Sequence, residues 1–77
     1  MTSVRLLIER HGRSDHAVTV VWDLPLDRAE LGELCRSLRR SCASGGRVVD
    51  DRIELQGDQS VPIKRWLEAR GWRVVGP

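Results

Sequence analysis

The sequence predicts an α+β fold, a two-layer α/β sandwich in which two helices cover one face of a mostly antiparallel sheet. Short segments of alternating apolar and polar residues predict strands, and two longer segments with a 3.6-residue apolar period predict helices. Their order along the chain is β-β-α-β-β-α-β. The chain has 77 residues, which we expect to form one domain over residues 1–77, so nearly every apolar side chain is needed in one core.

A β-hairpin is predicted at the start of the chain. Val4, Leu6 and Ile8 alternate with Arg5 and Glu9, although Leu7 breaks the pattern, and residues 18–22 are rich in β-branched side chains. The polar residues 10–16 between these strands are predicted to form a protruding loop. This loop contains four side chains that are basic or can become protonated: Arg10, His11, Arg13 and His16.

The first helix is predicted to begin near Asp27, whose negative charge suits the positive end of a helix dipole, and to end at Gly45-Gly46. One face of it is apolar, with Leu31, Leu34, Cys35, Leu38 and Cys42 at helical spacing. Both cysteines are therefore interpreted as small core residues. On the other face, Arg36, Arg39 and Arg40 have i, i+3, i+4 spacing, which predicts one exposed basic patch.

A second hairpin, a second helix and a final strand are predicted in the rest of the chain. Residues 47–50 and 53–56 are the hairpin strands, with Asp50-Asp51 at the turn. The second helix is expected from about Ser60 to Arg70, with Pro62 in its first turn and Gly71 after its end. Residues 72–75 form the last strand, and both helices should cover the same face of the sheet.

The composition excludes several classes of protein. Apolar residues make up 40% and charged residues 31% of the chain, and the net charge is +2, which describes a folded and mildly basic protein. There is no apolar run of membrane-spanning length and no signal-peptide pattern, so we expect a cytoplasmic protein. Neither a phosphate-binding glycine motif nor a nucleophile motif is present, so we expect no cofactor and no enzymatic activity.

Three weaker patterns have simpler structural interpretations. His11, Asp15 and His16 could supply metal ligands, but a structural zinc site usually needs four, so two solvated histidines are the simpler interpretation. Asp50 and Asp51 are better explained as turn residues than as a catalytic pair. Of the three tryptophans, Trp22 is the only candidate for stacking against a base, because Trp66 and Trp72 are expected to pack in the core.

The central part of the chain resembles a known family. The segment from Gly45-Gly46 through Ile53-Glu54-Leu55-Gln56-Gly57-Asp58 resembles the corresponding segment of the SUI domain family. This is the family of eukaryotic translation initiation factor one and its archaeal and bacterial YciH-like relatives. The second strand with Leu24-Pro25, the leucine spacing of the first helix with the arginines after Leu38, and the second helix through Trp72 are also similar to it, so the resemblance runs from about Arg10 to Val75.

The resemblance implies a function in translation initiation. Members of the family bind the small ribosomal subunit near the decoding site, where they modulate start-site selection or initiation fidelity. It implies ribosomal RNA as the partner of the hairpin loop and the first helix, with Arg36, Arg39, Arg40 and Arg47 as further contacts. Initiator tRNA and other initiation factors are further candidate partners, and a monomer without a membrane partner is expected.

An alternative function is a protein-interaction module that keeps the fold without binding RNA. The family's loop has the form Arg-x-Gly-Arg-Gly-Gly-Lys, whereas this chain has Ser14 and Asp15 in place of the two glycines and His16 in place of the lysine. The net charge of only +2 points the same way. Salt dependence distinguishes the two hypotheses, because binding through several phosphates weakens steeply with salt.

Overall fold

A computed structural model describes residues 3–11 and 16–76 of the chain. It contains seven elements in the predicted order β-β-α-β-β-α-β. These are β1 (Ser3–His11), β2 (His16–Trp22), α1 (Arg28–Cys42), β3 (Gly46–Val49), β4 (Arg52–Gln56), α2 (Ser60–Ala69) and β5 (Arg73–Val75). The predicted α+β class is confirmed.

The five strands form one sheet in the order β3-β4-β2-β1-β5. The pairs β1–β2, β2–β4 and β3–β4 are antiparallel, and only the edge strand β5 runs parallel to its neighbour β1. A parallel pair needs a long connection. The chain between β1 and β5 contains all the other elements, which provide this connection.

Both helices pack on one face of the sheet, as predicted. The core contains the α1 side chains Leu31, Leu34, Cys35 and Leu38 and the α2 side chains Ile63 and Leu67. They pack against alternate residues of the strands: Val4 and Leu6 of β1, Val21 of β2, Ile53 and Leu55 of β4. Since successive strand residues point to opposite faces, the residues between these point away from the helices.

The predicted boundaries differ from the structure by more than one residue at two places. The strands of the first hairpin continue to His11 and from His16, which form a pair, so the predicted loop of residues 10–16 is shorter than expected. The first helix ends at Cys42, and not at Gly45-Gly46, because Ala43 takes a left-handed conformation with φ 51°. Gly46 instead begins β3, where a larger residue would meet the Leu55 side chain and the Glu54 carbonyl.

In the described residues, neither α1 nor α2 combines the length and the apolar character that a membrane-crossing helix needs.

Candidate nucleic-acid interface

The C-terminal half of α1 presents the predicted basic patch. Arg36, Arg39 and Arg40 are all exposed, on the side of the helix away from the buried leucines. The leucines hold the helix on the sheet, and the arginines are consequently held in one orientation towards solvent. Arg39 and Arg40 lie in the last turn, where positive charge also interacts favourably with the negative end of the helix dipole.

The first turn of α1 is held by a capping box. The Asp27 carboxylate accepts a hydrogen bond from the backbone N–H of Glu30 at 2.8 Å, and the Glu30 carboxylate accepts one from the N–H of Asp27 at 3.0 Å. These bonds satisfy two backbone donors that a helix start leaves unpaired.

The hairpin residues Arg10 and His16 border a groove with the segment that follows α1. This open groove of about 890 Å³ is lined by Arg10 and His16 on one side and by Ala43, Ser44 and Gly45 on the other. Ala43 comes three residues after Arg40, so the basic patch of α1 leads directly to the groove. The structure therefore places the segment that follows α1 beside Arg10 and His16, a proximity that the sequence alone did not establish.

An ion pair and a buried hydroxyl lie at this groove. The Arg10 guanidinium lies 4.0 Å from the Asp58 carboxylate, and both side chains are about half exposed. The Ser44 hydroxyl is buried without a hydrogen-bond partner among the described residues. Hydrogen bonds from the Ser60 hydroxyl and then from the Ser60 N–H, with the charge of Arg10, hold the pKa of Asp58 below its ordinary value.

Thr19 anchors the segment on the far side of the groove, and sequence analysis did not identify it. Its side chain is fully buried, donates to the Gly57 carbonyl at 2.7 Å and accepts from the Gln59 N–H at 2.8 Å. The Gly57 N–H also donates to the Ala17 carbonyl at 2.8 Å. A threonine at an apolar position of a strand, followed 38 residues later by a turn glycine, carries no local signal of such a contact.

Arg47 lies apart from the other predicted contacts. It pairs with Glu54 across β3 and β4, and its guanidinium lies 3.5 Å from that carboxylate. Its neighbours Gly46 and Val48 face the helices, so Arg47 points to the opposite face of the sheet from α1. The alternation Gly-Arg-Val-Val would have indicated this orientation, because Val48 is the residue expected to face the core.

Some predicted site residues lie outside the part of the chain that the structure describes. Arg13 and Asp15 are among residues 12–15, and His11 is described only as a backbone position at the end of β1. The candidate metal ligands His11 and Asp15 are therefore not placed. Within residues 3–11 and 16–76, no group of three or more histidine, cysteine or carboxylate side chains is close enough to hold a metal ion.

The two cysteines are unbonded and pack as predicted. Cys35 is buried in the core and Cys42 is half-buried against it. Burial raises the pKa of both thiols, although the charges of Arg39 and Arg36 lower that of Cys35 in part. A raised pKa keeps a thiol protonated and unreactive, which fits a packing role.

Comparisons with known proteins identify relatives over nearly the whole chain. The family model described as "Translation initiation factor SUI1" matches residues 1–73. The chain is 39% identical over 71 residues to "Uncharacterized protein YciH" of Escherichia coli (strain K12), covering 92% of this chain and 66% of that protein. It is 35% identical over 72 residues to "Protein translation factor SUI1 homolog" of Ignicoccus hospitalis, covering 94% of this chain and 66% of that protein.

The chain thus spans about two thirds of the length of the curated relatives that it matches, with 66% of the YciH protein covered. The match itself extends through β1, both hairpins, both helices and the start of β5. Because the family model covers nearly the whole sequence, this chain belongs to the translation initiation factor SUI1 family.

Proposed function

We propose that this chain is a translation initiation factor-like protein that binds the small ribosomal subunit near the decoding site. There it modulates start-site selection or initiation fidelity, in the cytoplasm, as a monomer and without catalysis. The observation that carries the proposal is the exposed patch of Arg36, Arg39 and Arg40 leading to the groove of Arg10 and His16, in a chain of this family.

The chemistry of this surface suits ribosomal RNA. Folded RNA presents phosphates and 2′-hydroxyls across a shallow minor groove, whereas its base edges are largely hidden in the deep major groove. Guanidinium groups are strong partners for phosphate, and a rigid helix holds three of them at fixed spacing. Contacts of this kind position a protein by shape and charge. The bound protein would then act by occupancy, favouring or blocking competing arrangements of initiator tRNA, mRNA and other initiation factors.

Cosedimentation with purified small ribosomal subunits tests the proposal. The wild-type protein is compared at 50 and 200 mM salt with the double variant Arg36→Ala, Arg40→Ala and with Arg10→Ala, Arg13→Ala. We expect wild-type affinity to fall about a hundredfold over this range for about four phosphate contacts. In either variant, the slope of log affinity against log salt concentration should become less steep by about 2.

The double variant Lys64→Ala, Arg65→Ala provides a matched control. It also removes two exposed positive charges from a helix, but from α2, which does not border the groove. Its affinity should stay within about twofold of the wild type. Absence of binding at 50 mM salt, or equal losses in all three variants, would contradict the proposal and leave the protein-interaction alternative.

A further inference from the structure

The sheet has a second face that the proposed function does not use. We call it the open face: the strand side chains that point away from α1 and α2. At one end of the sheet, a row of this face crosses all five strands. Arg5 of β1 pairs with Trp22 of β2 and with Val75 of β5. The β2–β4 register continues from Val21–Ile53 to bring Arg52 level with Trp22, and Val49 of β3 pairs with Arg52.

The centre of this row is an exposed indole between two guanidinium groups. Trp22 is 38% exposed and the edge residue Val75 is 41% exposed, and both are among the three large apolar side chains that are exposed in the described residues. The Arg5 guanidinium lies 5.4 Å from the centroid of the Trp22 ring. Arg52 occupies the next position of the row on the other side of Trp22, on the neighbouring strand β4, whose backbone is about 4.8 Å away.

Ion pairs hold these arginines in place. Arg5 lies 3.6 Å from the Asp23 carboxylate, and Arg52 lies 3.1 Å from Glu54. Glu54 also contacts Arg47 of the neighbouring row, so one carboxylate is shared by two guanidinium groups. Arg73, which pairs with Ser3 on the same face, adds a further positive charge at the β5 edge. Together with Arg47 and Arg73, this end of the open face carries four guanidinium groups against the two carboxylates of Asp23 and Glu54.

The order arginine, indole, arginine across neighbouring strands matches the chemistry of single-stranded RNA. An unpaired base has a flat π surface that stacks on an aromatic side chain, and it is joined on each side to a phosphate that pairs with a guanidinium. A flat sheet face admits splayed bases, whereas a duplex keeps its bases stacked inside. An apolar protein partner would find less to contact, because Val20 beside Trp22 is fully buried and Leu7 is half-buried.

We propose that the open face binds single-stranded RNA, with a base stacked on Trp22 and the adjacent phosphates contacting Arg5 and Arg52. This surface lies across the sheet from α1. A chain bound to ribosomal RNA through its helix would thus present the open face to an unpaired strand nearby. The two surfaces use different residues, so each can fail without the other.

Fluorescence polarisation with a labelled 10-nucleotide RNA of repeated CA, which forms no duplex with itself, tests this inference. Trp22→Ala should weaken binding about 5- to 150-fold, the range for loss of one stacked base, and Trp22→Phe should recover most of the affinity. Arg5→Ala, Arg52→Ala should also weaken it and reduce its salt dependence. Lys64→Ala, Arg65→Ala, at exposed positions of α2 on the other side of the sheet, serves as the charge-matched control and should leave the affinity within about twofold.

Nuclear magnetic resonance of the labelled protein adds a readout that is independent of variants. The indole N–H signal of Trp22 should shift on addition of the same RNA, while those of Trp66 and Trp72 should not. Equal affinity of Trp22→Ala and wild type, or absence of binding by a wild-type protein that is folded, would overturn the proposal. If Arg36→Ala, Arg40→Ala loses affinity for the RNA and Trp22→Ala does not, the proposal is overturned. RNA binding would then be assigned to α1, and the open face would be left to a protein partner.

Discussion

Thr19 shows how one residue joins two parts of the chain that the sequence separates. Its buried hydroxyl both donates to the Gly57 carbonyl and accepts from the Gln59 N–H, and it thereby connects the middle of β2 to the turn before α2. That turn forms one side of the groove in the candidate nucleic-acid interface. The groove therefore depends on a side chain that does not line it.

Replacing Thr19 with valine should destabilise the protein. Valine keeps the shape of the side chain but leaves the Gly57 carbonyl and the Gln59 N–H without their partner, which costs about 1–3 kcal/mol of unfolding free energy. Urea unfolding measures the loss. Thr19→Ser is the control, because it keeps the hydroxyl. In nuclear magnetic resonance spectra, the backbone amide signals of residues 57–59 should shift in the valine variant only. A valine variant as stable as the wild type would show that these bonds contribute nothing net.

At the scale of single elements, α1 is stabilised at its two ends by different means. The capping box of Asp27 and Glu30 satisfies the first turn, and the left-handed Ala43 closes the last turn with N–H donation to the Arg40 carbonyl. The helix must be well formed over its full length for the three arginines to keep their spacing. Its first turn thus supports the helix that carries the basic patch, roughly two to three turns further along.

Loss of the cap should weaken α1 in a measurable way. Asp27→Ala removes the acceptor for the Glu30 N–H and should lower the unfolding free energy by about 1 kcal/mol. Glu33→Ala removes the same charge from an exposed position of the same helix, with no capping bond, and should change stability by less than about 0.5 kcal/mol. Thermal unfolding of both variants gives the comparison, and equal effects would rule out the cap as the cause.

At the scale of the whole molecule, the pH dependence of stability reflects how the hairpin meets the turn before α2. The bonds from Ser60 and the charge of Arg10 lower the pKa of Asp58 in the folded protein. A lowered folded pKa means that this carboxylate stabilises the fold above the unfolded pKa of about 3.9. The stabilisation is lost as the pH falls through the lower folded pKa.

Asp58→Asn should reduce this part of the acid sensitivity. The wild type should be more stable than the variant at pH 7, and the difference should shrink as the pH is lowered from about 5 towards 2. Urea unfolding across this range measures it, and nuclear magnetic resonance should show Asp58 titrating below its ordinary range. A stability difference that stays constant down to pH 2 would mean that the charge of Asp58 is not coupled to folding.

Local patterns were sufficient for much of the fold. Alternating apolar residues identify β1, β-branched residues identify β2, the spacing of Leu31, Leu34 and Leu38 identifies α1, and turn residues separate the later elements. The exposed basic patch follows from the same helical period. These features could be predicted because strand and helix periods, and the side chains that face solvent, are set by residues within a few positions of one another.

Long-range pairing decided the rest. The placement of β5 beside β1, the contact of Thr19 with Gly57, and the row in which Arg5 and Arg52 flank Trp22 all join residues that are tens of positions apart. Strand order and register determine which side chains become neighbours, and neither is encoded in a local period, because any strand with the right alternation could pair in several ways. Packing of both helices on one core selects a single arrangement, and with it the two surfaces proposed here to contact RNA.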